Sequence, residues 1–131
     1  MKVWPLVAGM LLITAGVSAQ TDQIAVTSTS GAILRGLDTV TGKIRDIDID
    51  AGKVVPFERL EITLKECRYP TENPASDAFA YLTIRDVREE KPRFEGWMVA
   101  STPALEALDH PRYDVWVLRC KYPDAAPAAT D

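Results

Sequence analysis

The sequence predicts an all-β fold: a small antiparallel sandwich or barrel of about seven short strands, with one short helix and one disulfide. Three observations predict it. Leu60, Ile62 and Leu64 alternate with Glu61, Thr63 and Lys65, the period of a strand with one buried face. Breaks rich in glycine, proline and aspartate cut the other apolar runs to strand length. The runs do not alternate with helical patterns, so crossover units and a parallel sheet are disfavoured.

Gln20 to Ser30 is polar and small, without amphipathic period, and reads as a flexible lead-in. Ala32 to Asp38 is an apolar run ending in a turn signal. Thr41-Gly42 is a hairpin turn into a second strand, Ile44 to Ile49. After the Asp50–Lys53 turn comes Val54 to Phe57, where Pro56 cannot donate to a ladder and so marks an edge. Leu60 to Arg68 carries Cys67 near its end. Tyr69 to Asp77 is a loop by composition, and Phe79 to Asp86 is a strand of β-formers. Beyond a charged turn, Phe94 to Ala100 is a strand. Thr102 and Pro103 suit an N-cap and first turn of a helix over Ala104 to Leu108, and Pro111 stops it by Asp109. Tyr113 to Cys120 is the last strand. Val115 and Val117 should share one face, with Trp116, Leu118 and Cys120 on the other, core-facing side. Residues 121–131 form a small-residue tail that reads as disordered. The domain proper is thus expected over residues 31–120.

The chain opens with Met1-Lys2, an almost wholly apolar Val3 to Gly16, and Val17-Ser18-Ala19 before Gln20. That is the pattern of a secretory signal peptide over residues 1–19. The apolar run falls short of the ~20 residues a spanning helix needs and is interrupted by Pro5, so no membrane span is expected after cleavage. The expected location is periplasmic or secreted. There, Cys67 and Cys120 are expected to pair as a structural bridge, because they are too far apart for a redox C-x-x-C motif. The net charge of −4 provides no basic footprint for nucleic acid.

An ordered set of short motifs runs along this frame. Leu34-Arg35-Gly36-Leu37-Asp38 and Val40-Thr41-Gly42 come first, then Arg59-Leu60-Glu61 and Cys67-Arg68-Tyr69-Pro70. Gly96-Trp97-Met98 and the run from His110 to Trp116 complete it. The set resembles the domain-of-unknown-function family numbered 2155, found in exported proteins of alphaproteobacteria. The resemblance covers Leu34 to Cys120. It implies export, one compact domain and paired cysteines, and it implies no activity.

Several constellations invite chemistry. Asp46, Asp48 and Asp50 open like a calcium loop, but Ala51 and Phe57 stand where glycine and glutamate are needed. The isoleucines between them fit a strand with one apolar and one acidic face. Asp109-His110 beside Ser101 and Thr102 suggests a nucleophile and base, but there is no nucleophile elbow, and His110 suits turn-fixing better. One histidine and two distant cysteines do not make a zinc site. No metal or cofactor is expected. The expected function is a non-enzymatic binding or accessory module of the cell envelope, with a protein partner. Its interaction surface is expected at Trp97, Leu105, His110, Arg112 and Tyr113. The alternatives are a small envelope-polymer hydrolase or lyase using His110 as base, and a carbohydrate-binding module using Trp97.

Overall fold

A computed structural model describes residues 24–122, together with positions 3, 5, 9 and 13–16 of the leading stretch. The expected signal peptide and tail therefore fall largely outside the described residues. Within them lie eight strands in two antiparallel sheets: β1 (Val26–Thr29), β2 (Gly31–Asp38), β3 (Ile44–Asp50), β4 (Val54–Phe57), β5 (Leu60–Pro70), β6 (Phe79–Asp86), β7 (Phe94–Val99) and β8 (Tyr113–Cys120). The five-stranded sheet runs β1-β5-β6-β7, with β4 also on β5, and the three-stranded sheet runs β3-β2-β8. The two layers close on one apolar core, a sandwich in which Leu34, Ile49, Phe57, Leu60, Ile62, Leu64, Leu82 and Ile84 are fully buried.

β5 is the spine of the larger sheet. On one side it pairs with β6; on the other it takes β4 opposite Leu60 to Thr63 and β1 opposite Cys67 to Pro70. β1 corrects the expectation of a flexible lead-in over residues 20–30. Its polar Val-Thr-Ser-Thr sequence has no apolar period, yet its backbone finds β5, and that pairing carries β5 on to Pro70 rather than ending it at Arg68. Glycine supplies the positive φ of two turns, Gly42 at 75° after β2 and Gly52 at 82° after β3. Gly36 is needed for another reason, since a Cβ there would sit 2.7 Å from the ring of Phe57. The strand interior is thinned so that this buried ring can pack against it.

Two bulges decide what faces the core. On β5 the register slips between Leu64 and Glu66, leaving Lys65 as the extra residue. Leu60, Ile62 and Leu64 point inward before it and Cys67 after it. On β8 the register opposite Ile33/Leu34 skips Leu118, so Tyr113, Val115 and Val117 point inward, and so does Cys120. Trp116 is thereby placed on the outer side of its sheet, half-buried, and not in the core as the strict alternation suggested. The bulges bring Cys67 and Cys120 together as a disulfide with Cα atoms 5.7 Å apart, linking one sheet to the other.

The expected short helix is absent among the described residues. Between Thr102 and Pro111 the backbone makes a single turn, Leu105 N–H to Thr102 C=O, and then runs on without helical bonds. The prolines leave too few residues to offset the cost of helix nucleation. Leu108 anchors this connection by inserting into the core, while Leu105 stays 72% exposed.

Candidate functional site

The titratable cluster that drew attention in the sequence sits at one end of the sandwich. Asp86 closes β6 and is buried, as is its partner His110. The Nδ1 of His110 accepts the backbone N–H groups of Arg112 (3.0 Å) and Tyr113 (3.2 Å). Nδ1 therefore carries no proton, and Nε2–H donates to Asp86 Oδ2 at 2.9 Å. The Arg88 backbone N–H, the His110 hydrogen bond and the Arg88 guanidinium hold the Asp86 carboxyl far below the usual carboxylate range. Beside it, buried Asp38 takes two bonds from Arg112 Nε (3.1 and 3.2 Å) and one from Nη2 (2.9 Å), plus the backbone N–H groups of Val40 and Thr41. The Arg112 hydrogen bond is the main reason its carboxyl is lowered to about 2. Tyr113 lies buried between the two pairs, tilted on His110 at 4.9 Å and edge-on to Phe57 at 5.9 Å.

This cluster is a clasp. It fixes the β2–β3 turn, the turn after β6 and the start of β8. Both ring nitrogens of His110 are engaged, so no lone pair is left for a substrate proton. The serine expected beside it lies at the opposite end of the molecule. Ser101 donates to Asp77 Oδ2 at 2.7 Å, just before β6, whereas Asp86 and His110 sit at the far end of that strand. At ~3.3 Å per residue the two ends are roughly 30 Å apart, far outside any nucleophile–base contact.

Asp86, Glu89 and His110 bring three potential ligand atoms within 4.8 Å of one another. They do not fit a metal. With Nδ1 receiving two backbone protons, a metal on Nε2 would require an imidazolate, and Glu89 is already engaged bidentately by Arg93 at 2.7 and 2.9 Å. The aspartates of β3 are likewise engaged. Ile47 and Ile49 face the core, while Asp46 pairs with Arg35 at 2.8 Å and Asp48 and Asp50 pair with Lys121.

The outer face of the five-stranded sheet has a different character. The register places Thr63, Thr83 and Glu95 in one row, Glu66, Tyr81 and Trp97 in the next, and Ser28, Arg68, Phe79 and Val99 in the row after that. The first row is polar. The next two form an aromatic and aliphatic floor, continued at the rim by exposed Val26. Tyr81 meets Trp97 edge-on at 5.4 Å and 84°, and the Arg68 guanidinium covers the Trp97 ring at 4.9 Å. Glu66 holds Arg68 by two bonds at 2.8 and 2.9 Å and also accepts from Ser28, and these partners lower its carboxyl. Lys65 lies over Tyr81 at 5.2 Å. Rings crossed at right angles and capped by cations give no coplanar platform on which a sugar could stack.

Of the residues expected to form an interaction surface, only Trp97 stands on this floor. Leu105 is exposed on the connection before β8, whose Ala104 and Ala107 line a cleft of about 290 Å³ with Trp116 on the other sheet. The His110 side chain and Tyr113 are buried, and the half-exposed Arg112 has its fork engaged by Asp38, so these three serve the clasp. The sequence offers Tyr81 beside Trp97 as part of an aromatic platform but does not point to Arg68, Phe79 and Val99 as further neighbours. Phe79 and Val99 have outward parity with Tyr81 and Trp97, whereas Arg68 reaches this face only through the bulge at Lys65.

Comparison with known proteins adds identity without activity. An uncharacterized protein of Rickettsia prowazekii (strain Madrid E), RP359, is 30% identical over 95 residues, covering 70% of this chain and 61% of that protein. The chain therefore spans less than two thirds of that relative's length. No solved structure matches. The family described as "Uncharacterized protein conserved in bacteria (DUF2155)" matches residues 32–120, from the start of β2 to the bridged cysteine of β8, and the chain belongs to that family.

Proposed function

We propose that this protein is an exported, non-enzymatic binding or accessory module of the cell envelope, and that it meets a protein partner through the floor around Trp97. The observation that carries this reading is the juxtaposition of Phe79, Tyr81, Trp97 and Val99 on a solvent-facing sheet face, beside exposed Val26. A sheet face that only meets water is normally polar, as the Thr63–Thr83–Glu95 row is, whereas clustered aromatics with arginine are typical of interface cores. Export is supported by the disulfide, which persists in oxidising compartments, and by the apolar run that opens the sequence. The engagement of both His110 nitrogens argues against the hydrolase alternative.

The test is a photo-crosslinking residue introduced at Val26, on the rim of the floor, and separately at Val40, exposed in the β2–β3 turn. In the native producer, Val26 should give a discrete crosslinked species that Trp97→Ala removes, and Val40 should not. No product from either site, or equal products from both, would sink the reading.

A further inference from the structure

We infer that the partner binds as an extended strand added to the free edge of β7, with a basic side chain opposite Glu95 and an apolar one packed beside Trp97. This rests on the reading of the Trp97 floor as the contact face. The backbone phase of β7 is fixed at its end, where Ala100 N–H donates to Ala78 C=O at 2.9 Å in line with the β6–β7 register. In an antiparallel pair, bonded residues alternate. Met98, Gly96 and Phe94 therefore direct their backbone groups to β6, and Val99, Trp97 and Glu95 direct theirs away from it. The Val99 carbonyl agrees with this phase, because it accepts from Thr102 N–H instead. Among the described residues nothing bonds the backbone groups of Glu95 and Trp97 on that side.

The other free edges are less open. β1 and β4 are four residues each, β4 carries Pro56, and the outward aspartates of β3 are engaged by Arg35 and Lys121. β8 also lacks a partner on its side away from β2, but Pro103, Ala104, Ala107 and Leu108 line a cleft with Asp114, Val115 and Trp116, so the connection stands in the way of an approaching strand. Long uncovered edges invite pairing, and charged residues limit it to complementary partners. Here the charge is Glu95, whose carboxylate projects on the outer face beside the edge. A strand added to β7 would set its own outward side chains next to Glu95, Trp97 and Val99. Charge complementarity and apolar contact then ask for a basic residue near the first and apolar residues near the other two. A second copy of this acidic chain, net charge −4, is disfavoured by its own repulsion.

The experiment is amide-resolved NMR of the oxidised protein, titrated with a synthetic peptide of alternating lysine and valine and, in parallel, one of alternating glutamate and valine. Without peptide, the amides of Glu95 and Trp97 should exchange with solvent at least tenfold faster than those of Gly96 and Met98. The lysine peptide should slow Glu95 and Trp97 selectively, the glutamate peptide should not, and Glu95→Lys should reverse that preference. Glu95→Pro, which removes an outward N–H without touching a β6 bond, should abolish binding while leaving the unfolding midpoint within a few degrees. Absence of lysine-peptide binding, protection at β8 alone, equal binding of both peptides, or concentration-dependent self-pairing through β7 would each overturn the inference. If the Val26 crosslink persists while no alternate-amide protection appears, strand addition fails and the contact face stands.

Discussion

Asp38 carries more of the fold than its place in a turn suggests. Its carboxylate joins the β2–β3 turn to Arg112 at the foot of β8, and the Arg112 bond chiefly lowers it to about 2. A group depressed in the folded state stabilises fully above its unfolded pKa of ~3.9 and loses that contribution as pH falls toward its folded value. The urea midpoint should therefore be flat between about pH 7 and 5 and fall below about pH 4. Asp38→Asn should unfold more easily near neutrality and show a shallower acid decline, the remainder coming from carboxylates such as Asp86, which are also lowered. Acid slopes identical in the two proteins would show that Asp38 does not couple to folding. The sequence shows His110 as a turn residue, since Pro111 follows it, and that reading fits the bonds to Arg112 and Tyr113 N–H. It could not show Asp86 as the partner, because that contact spans 24 residues and depends on where β6 ends against β8.

At the level of the strand, alternation predicts facing well until a bulge intervenes. All seven strands expected from Ala32 onward exist near their expected bounds, because each is an apolar run cut off by turn residues. What strict alternation misplaces is Trp116, and it would point Cys67 away from the side of Leu60, Ile62 and Leu64. A bulge leaves no side-chain signature in Leu-Lys-Glu-Cys. It is selected by the pairing of β5 with β6 and by the need to seat Cys67 opposite Ala80. Deleting Lys65 removes only the unpaired residue and leaves Leu64, Glu66 and Cys67 in plain alternation, so Cys67 should stay inward opposite Ala80. Thiol labelling of the oxidised deletion variant should find neither cysteine reactive, as for Lys65→Ala, whereas inserting one alanine after Glu66 should turn Cys67 outward and leave both cysteines reactive. A fully bridged insertion variant with unchanged thermal stability would mean that the register is imposed from elsewhere. β1 lies beyond such reasoning, since a strand without an apolar face is defined only by the neighbour that accepts it.

For the whole molecule the question is what keeps a three-stranded layer on a five-stranded one. No backbone ladder crosses between the sheets among the described residues, so the layers hold by core burial, by the clasp of Asp38, Asp86, His110 and Arg112 at one end, and by Cys67–Cys120 near the other. The bridge spans 53 residues, for which the chain-entropy account gives roughly 4 kcal/mol of destabilisation of the unfolded chain. A domain of this size has a net stability of about 5–15 kcal/mol, so the bridge accounts for a large share of it. Replacing both cysteines, Cys67→Ala with Cys120→Ala, should lower the unfolding free energy by about 4 kcal/mol and the thermal midpoint by roughly 20 °C. The double variant is the proper comparison, because a single substitution leaves a buried thiol free to cross-link chains. If the loss is below about 1 kcal/mol, core burial and the clasp hold the layers unaided, and the bridge serves something other than stability. If it is near 4, the Trp97 floor depends on oxidation: β5 carries both Cys67 and Arg68, so loosening the bridged end of β5 frees the arginine that caps Trp97. The partner binding proposed for that floor should then weaken under reducing conditions in parallel with the loss of stability.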